Sequence, residues 1–341
     1  MIINQVVSGG GGSSVAEPYI EYVVDASGNF GFDKNTSHLV DLSDVVNMKA
    51  PLGGVYASNT NISGFVDLGK LKYISVARAF ASMFSGATGI TGFDMSKLET
   101  IGDQVSSAYE NACADMFAGC TRIVGRVDLH SLRVVSCSGA CSRMFQNCTG
   151  ITSVDVSGLE ELKNQFSCLG NFVEGCTGLT EFKFESLKVL SVTNALYQCF
   201  YRCTNLQDVW FYALNTNSFG TTTGMQFNSM LSGVTGCTVH FPMAIQNTIG
   251  SWGTVTGGFG GTNTTVLFDL VTSLTGADGN TYTRSEKNST ATATAWTYND
   301  TLYYTSGVSN HTAGVNEAQV GDTIYSDSAC ITAVTTISSI A

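Results

Sequence analysis

The sequence predicts an α/β solenoid, one short helix plus one strand per repeat, followed by a small C-terminal all-β domain. Three observations lead there: a unit of about 28 residues repeats through the middle of the chain, each unit ends in a run of alternating apolar residues, and pairs of apolar residues four apart precede each run.

The repeat is seen by laying five segments end to end: MFSGATGITGFDMSKL (83–98), MFAGCTRIVGRVDLHSL (116–132), MFQNCTGITSVDVSGL (144–159), FVEGCTGLTEFKFESL (172–187) and CFYRCTNLQDVWFYAL (199–214). By subtraction, Phe84, Phe117, Phe145, Phe172 and Phe200 follow one another at 33, 28, 27 and 28 residues. The longer first step places an insertion near 101–107. Degenerate units flank the array at 61–71 and 230–242, as a solenoid needs to cap its ends. The alternation Val154, Val156 and Phe182, Phe184 predicts a strand with one buried face. The pairs Phe80/Phe84, Cys113/Phe117, Cys141/Phe145, Cys168/Phe172 and Leu196/Phe200 have the spacing of one face of a short helix. A single unit cannot bury its own apolar side, so units stack, with strands about 4.8 Å apart.

Around the array the chain divides into an apolar peptide with a four-glycine linker (1–14), an N-terminal cap (15–59) with a strand or two, the solenoid (60–242), a linker (243–264) marked by GGFGG, and the β domain (265–341). In the last, TATATAWTY, the Asn299-Asp300 turn and TLYYTSG predict a hairpin or meander.

Composition narrows the function. Acidic residues number 27 against 16 Lys and Arg, a net charge of −11. No face carries the basic surplus that nucleic acid requires, and a basic partner or a neutral sugar fits better. No run approaches the roughly 18 apolar residues that cross a bilayer, so no membrane insertion is expected. The start MIINQVVSGGGGSS lacks a basic and long apolar leader, which leads to the expectation of a chain folded in a reducing cytosol. Eleven cysteines, most at fixed repeat offsets, do not read as a disulfide framework.

Four places were weighed as sites. The column Cys120, Cys148, Cys176, Cys203 reads as small core residues, because Ala87 fills the same position and no C-x₂-C zinc pairing occurs; no metal and no cofactor is expected. Asp67, Asp94, Asp128 and Asp155 recur between inward positions, either a dock for a cation or basic partner or a solvated acidic face. Trp210 and Tyr212, with Tyr201 nearby, offer a stacking platform for a sugar or a protein, or pack beneath 215–229 or the linker. The peptide bearing Ile2, Ile3, Val6 and Val7 is either a free tail or an anchor into a larger assembly. Enzyme signatures of the metalloprotease, P-loop, nucleophile-elbow and dinucleotide kinds are not found, and no catalytic residue is assigned.

The unit MF-x-x-C-x-x-[IL]-x-x-[VF]-x-[VF] resembles the BspA-like leucine-rich repeats of bacterial surface proteins, over roughly half the chain. That resemblance implies a leucine-rich-repeat solenoid and an adhesive role, and brings no catalytic residue with it. The N-terminal peptide and the Thr/Gly-rich C-terminal segment are similar in style to virion proteins of gut bacteriophages. Together these imply a non-enzymatic virion appendage, made in the host cytoplasm, that contacts other virion proteins through residues 1–14 and a host surface protein or glycan through its body. Homo-oligomerisation would suit a fibre, although no heptad pattern supports it. The alternatives are a structural virion component that binds neighbouring subunits, and an adhesin on the bacterial cell surface.

Overall fold

In the computed structural model the described residues are 19–20, 39, 41–48, 51–102, 111–163, 166–219, 225–250, 258–285, 289, 293–306, 318 and 322–340. Each coil of the solenoid has three sides, a run of turns, a long strand and a two-residue strand. The long strands are Gly64–Asp67, Ile90–Asp94, Gly125–Asp128, Ile151–Asp155, Glu181–Phe184, Asp208–Phe211, Thr238–Pro242 and Thr265–Leu270. The first four pair in two parallel couples, and the last four form one parallel sheet in chain order. The two-residue strands, from Tyr19–Ile20 and Asn47–Met48 to Val189–Leu190, form one seven-stranded parallel sheet.

The helix expected in each repeat is not there. Its place is taken by a ribbon of consecutive turns in which every fourth residue has a positive φ: Arg78, Ser82 and Gly86 in one coil, Asn111, Asp115 and Gly119 in the next, Gly139, Arg143 and Asn147 after that. A right-handed helix does not admit such residues, whereas Gly, Asn and Asp tolerate them in turns. Alternate N–H groups bond three residues back, as Met83 to Phe80 (3.0 Å) and Ser85 to Ser82 (3.1 Å). The intervening ones, Phe80, Ser82, Phe84 and Gly86, donate to the carbonyls of Ala112, Ala114, Met116 and Ala118 in the next coil at 2.7 to 2.9 Å. Backbone polarity in the ribbon is thereby used half along the chain and half between coils. Four-residue turns return an apolar pair to the core at every step, so they produce the same i, i+4 spacing as a helix face. Among the described residues α-helix is confined to Gln246–Gly250 and to Gly258.

One continuous core runs from Leu42 to Phe259. Its spine is a column of rings: Tyr56 on Phe84 (5.6 Å between centroids), Phe84 on Phe117 (5.4 Å), Phe117 on Phe145 (5.9 Å) and Phe145 edge-on to Phe172 (5.3 Å). The solenoid also passes the boundary expected at 242. Phe259, expected in a linker, is fully buried, Leu231 donates to its carbonyl (2.7 Å), and Thr265–Leu270 pairs in parallel with Thr238–Pro242. The two glycines flanking that ring on each side had masked a final coil.

Beside the ring column stand the cysteines. Cys120, Cys148, Cys176 and Cys203 are buried, and each thiol donates to a carbonyl of the preceding coil (Phe84, Phe117, Phe145 and Val173) at 3.1 Å. Burial pushes the thiols of Cys120, Cys148 and Cys203 up to about 12, so little thiolate exists at neutral pH. In native protein a thiol reagent is expected to modify Cys330, the one partly exposed cysteine, and to leave the others untouched until unfolding. Rapid reaction of Cys148 would contradict this packing.

Beyond Leu270 six antiparallel strands, Ser273–Gly276, Thr281–Arg284, Ala293–Tyr298, Thr301–Ser306, Thr323–Tyr325 and Ala333–Ile340, close into a barrel. The hairpin turn lies at Asn299 and Asp300, whose φ of 48° and 58° suit the two-residue turn that matches strand twist. Trp296 is buried inside and donates to Thr305 Oγ1 at 2.9 Å.

Candidate binding surface

The aspartate column lies where the long strands end. Asp67, Asp94, Asp128 and Asp155 each present Oδ1 to the N–H two residues on, those of Gly69 (2.9 Å), Ser96 (2.9 Å), His130 (3.1 Å) and Ser157 (2.9 Å). These are Asx turns that carry the chain round the corner towards the short strand. Asp128 also meets His130 Nδ1 at 2.7 Å, and Asp155 pairs with Arg126. Among the described residues no cluster of His, Cys, Asp or Glu could hold a metal ion. Asp94→Asn keeps the corner acceptor and should leave the melting temperature unchanged, whereas Asp94→Ala should cost about 1 kcal/mol, as loss of a comparable cap does. Equal losses in thermal denaturation would assign the role to the charge.

The three aromatic residues do not share one platform. Trp210, half-buried, belongs to the long-strand face. Tyr212 follows that strand and points the same way, with its ring 5.9 Å from that of Trp210, but it is buried, and the guanidinium of Arg284, from the barrel, sits 4.9 Å above it. It therefore packs beneath the C-terminal domain and is not an open surface. Tyr201 lies on the turn side beside Arg202 (4.8 Å). Ile2, Ile3, Val6 and Val7 lie outside the described residues.

A group that sequence reasoning missed stands next to Trp210. In register with it on the next coil is His240, stacked face to face at 3.5 Å. His240 Nδ1 is 2.8 Å from Asp269 Oδ2 and Nε2 is 3.2 Å from Asp208 Oδ1. Asp269 reaches this place because a bulge leaves it as the extra residue between the pairs Phe241–Phe268 and Pro242–Leu270. Burial opposes charge on the imidazole, but bonds to Asp269 and Asp208 outweigh it and raise its pKa above the usual value. With both ring nitrogens engaged, His240 is a clamp across three coils. The only signal for it was the column Lys183, Trp210, His240 on consecutive long strands, and its partner Asp269 lay beyond the boundary expected at 242. Because the folded-state pKa is raised, the clamp's stabilisation is complete below about pH 6.5, the unfolded value, and is lost as pH rises through the folded value. His240→Phe keeps the stack, and the wild-type stability advantage over it should shrink between neutral and alkaline pH in denaturant titrations. A constant difference would refute the clamp.

On the same face the long strands part between Ile151–Asp155 and Glu181–Phe184, although the same coils stay bonded on their other two sides, through Glu161 with Val189 and Phe145 with Phe172. Inward side chains change here from Val154 and Val156 to Phe182 and Phe184. The groove, of about 480 Å³, is lined by Arg126, Ser153, Asp155, Ser157, Glu181 and Lys183 among others. Lys183 is the cross-strand partner of Trp210, so a row of donors and acceptors ends against an indole. That is the chemistry that holds a hydroxylated ring, polar at its edge and apolar on its face.

The fold and this face define a class, a three-sided parallel solenoid closed by an antiparallel barrel and bearing a polar groove. No family model matches the chain, and no curated protein is significantly similar to it.

Proposed function

We propose that this protein is a non-enzymatic adhesion module of a virion appendage. The solenoid is the rigid mount, the groove between Asp155 and Lys183 with Trp210 at its edge contacts a glycan or protein of the host surface, and residues 1–14 join the chain to other virion proteins. The observation that carries the reading is the groove itself: a charged, hydroxyl-lined opening at one of the two places where the long strands part, next to a half-buried tryptophan. A binding role also suits a scaffold whose buried histidine has both nitrogens committed to carboxylates and whose repeat thiols are protonated donors to backbone. Purified protein binding to host cells tests it. Ser153→Arg, which fills the groove, and Lys183→Ala should each weaken binding at least about tenfold, as loss of one good polar anchor does. Unaltered binding by both would sink the assignment of this face. The second reading, a structural component packed among neighbouring subunits, draws on exposed Phe65 (58%) and Val124 (67%) near the start of two long strands, since large apolar side chains in the open mark contacts.

A further inference from the structure

The geometry points to a second binding site, on the turn side of the solenoid, and we propose that it takes the carboxylate of an acidic sugar. Four successive coils contribute to a groove of about 340 Å³ there: Gly53 and Gly54, then Arg78, Ala81 and Ser82, then Asn111, Ala114 and Asp115, then Arg143. Arg143 is held by Asp115 through two bonds, Nε to Oδ1 at 2.8 Å and Nη2 to Oδ2 at 3.2 Å, which fixes its guanidinium and, among the described residues, leaves Nη1 and one hydrogen of Nη2 for a ligand. Arg78 is exposed and has no ion-pair partner among the described residues, unlike Arg126, Arg133 and Arg143, each of which faces a carboxylate.

Two guanidinium groups and one carboxylate, Asp115, line the groove, and the charge of Glu174 also reaches Arg143, so Arg78 is the cation there without a close acidic partner among the described residues. Screening confines the negative background of the chain to about 8 Å at physiological salt, so the groups of the groove itself govern a ligand seated there. A guanidinium fork matches a planar carboxylate through two parallel bonds. The rest of the groove suits a sugar ring better than a bare ion. Ala81, Ala114 and the two glycines give a short apolar floor for the C–H face of a pyranose, and Ser82 and Asn111 stand at its rim as hydroxyl partners. Asn111 lies over Gly139 of the next coil, where a Cβ would come 2.4 Å from its Oδ1, so the glycine makes room for that side chain. The carboxylate pairs with Arg78, Arg143 steadies the far edge of the ring, and Asp115 positions Arg143.

This site is on a different side from the Trp210 groove and does not depend on it. The test is titration of the full chain with glucuronate, glucose and inorganic sulfate, followed by calorimetry or saturation-transfer NMR. Glucuronate should bind and glucose should not, and Arg78→Asn, whose residue tolerates the positive φ at this position, should weaken glucuronate at least about tenfold at an unchanged melting temperature. Arg78→Lys, which keeps the charge and loses the fork, should fall between. Binding of glucose as tight as that of glucuronate, or an Arg78→Asn variant that binds like wild type, would overturn the proposal. Sulfate binding as tightly as glucuronate would mean an adventitious ion only, and would overturn it too. Ser153→Arg should leave this titration untouched, which separates its failure from failure of the adhesion groove.

Discussion

Phe117→Ala should lower stability by about 3–5 kcal/mol, the range for emptying a fully buried aromatic site. Phe117 is completely buried and sits at the centre of the ring column, 5.4 Å from Phe84, 4.4 Å from Phe93 and 5.9 Å from Phe145. Its ribbon is bonded on both sides to neighbouring coils and cannot collapse into the cavity without breaking those bonds. In a stack where each coil contacts only its neighbours, such a loss also weakens the coupling between the two halves. Chemical denaturation should therefore show a lower midpoint and a shallower slope, and the melting temperature should fall by roughly 10 °C or more. A loss below about 1 kcal/mol would mean that the column is not the spine.

The second large effect is expected at Gly178, through crowding and not through a void. The segment G-C-T-G (175–178) ends its turn run with a residue that passes close to the coil before it, and a Cβ on Gly178 would lie 2.4 Å from the carbonyl oxygen of Ile151 and 3.0 Å from that of Thr149. Gly150 and Gly89 face the same obstruction, at 2.8 Å from Ile123 and 2.1 Å from Ile62. The blocking atoms are backbone, so Gly178→Ala must push coils apart, at a cost of about 1–3 kcal/mol or more. Arg122 occupies the equivalent place in its own coil and is exposed, so Arg122→Ala should be near neutral in the same denaturation experiment. Equal effects at the two positions would refute the close-approach argument.

These residues also show how far the sequence could be read. The ring and cysteine columns, the inward alternation Val154/Val156 and Phe182/Phe184, and the Asn299-Asp300 hairpin were legible because each rests on a period or a local backbone preference. The helix was misread because four-residue spacing belongs equally to a ribbon of turns. The discriminating signal was a Gly, Asn, Asp or Ser at most of the fourth places, as in Asn111, Asp115 and Gly119, with Arg78, Arg143, Gln198 and Arg202 as the exceptions. The final coil was missed because GGFGG was read as a linker although its phenylalanine enters the core. With that coil went Asp269, which three coils in register and a bulge bring to His240 together with Asp208. Tyr212 lies beside Trp210 but is buried under Arg284, and a contact with a residue from another domain leaves no trace in local pattern. The groove lies where a coil lined by Val154 and Val156 meets one lined by Phe182 and Phe184, a juxtaposition that exists only once the coils are stacked.

The most direct test of the central claim, a binding body attached to a particle by its N-terminal segment, is cosedimentation. The full chain and a form lacking residues 1–14 would be mixed with phage particles that lack this protein and, separately, with host cells. The full chain should sediment with particles while the shortened form does not, and both should sediment with cells. Failure of both forms to bind cells, or particle binding that survives removal of residues 1–14, would contradict it.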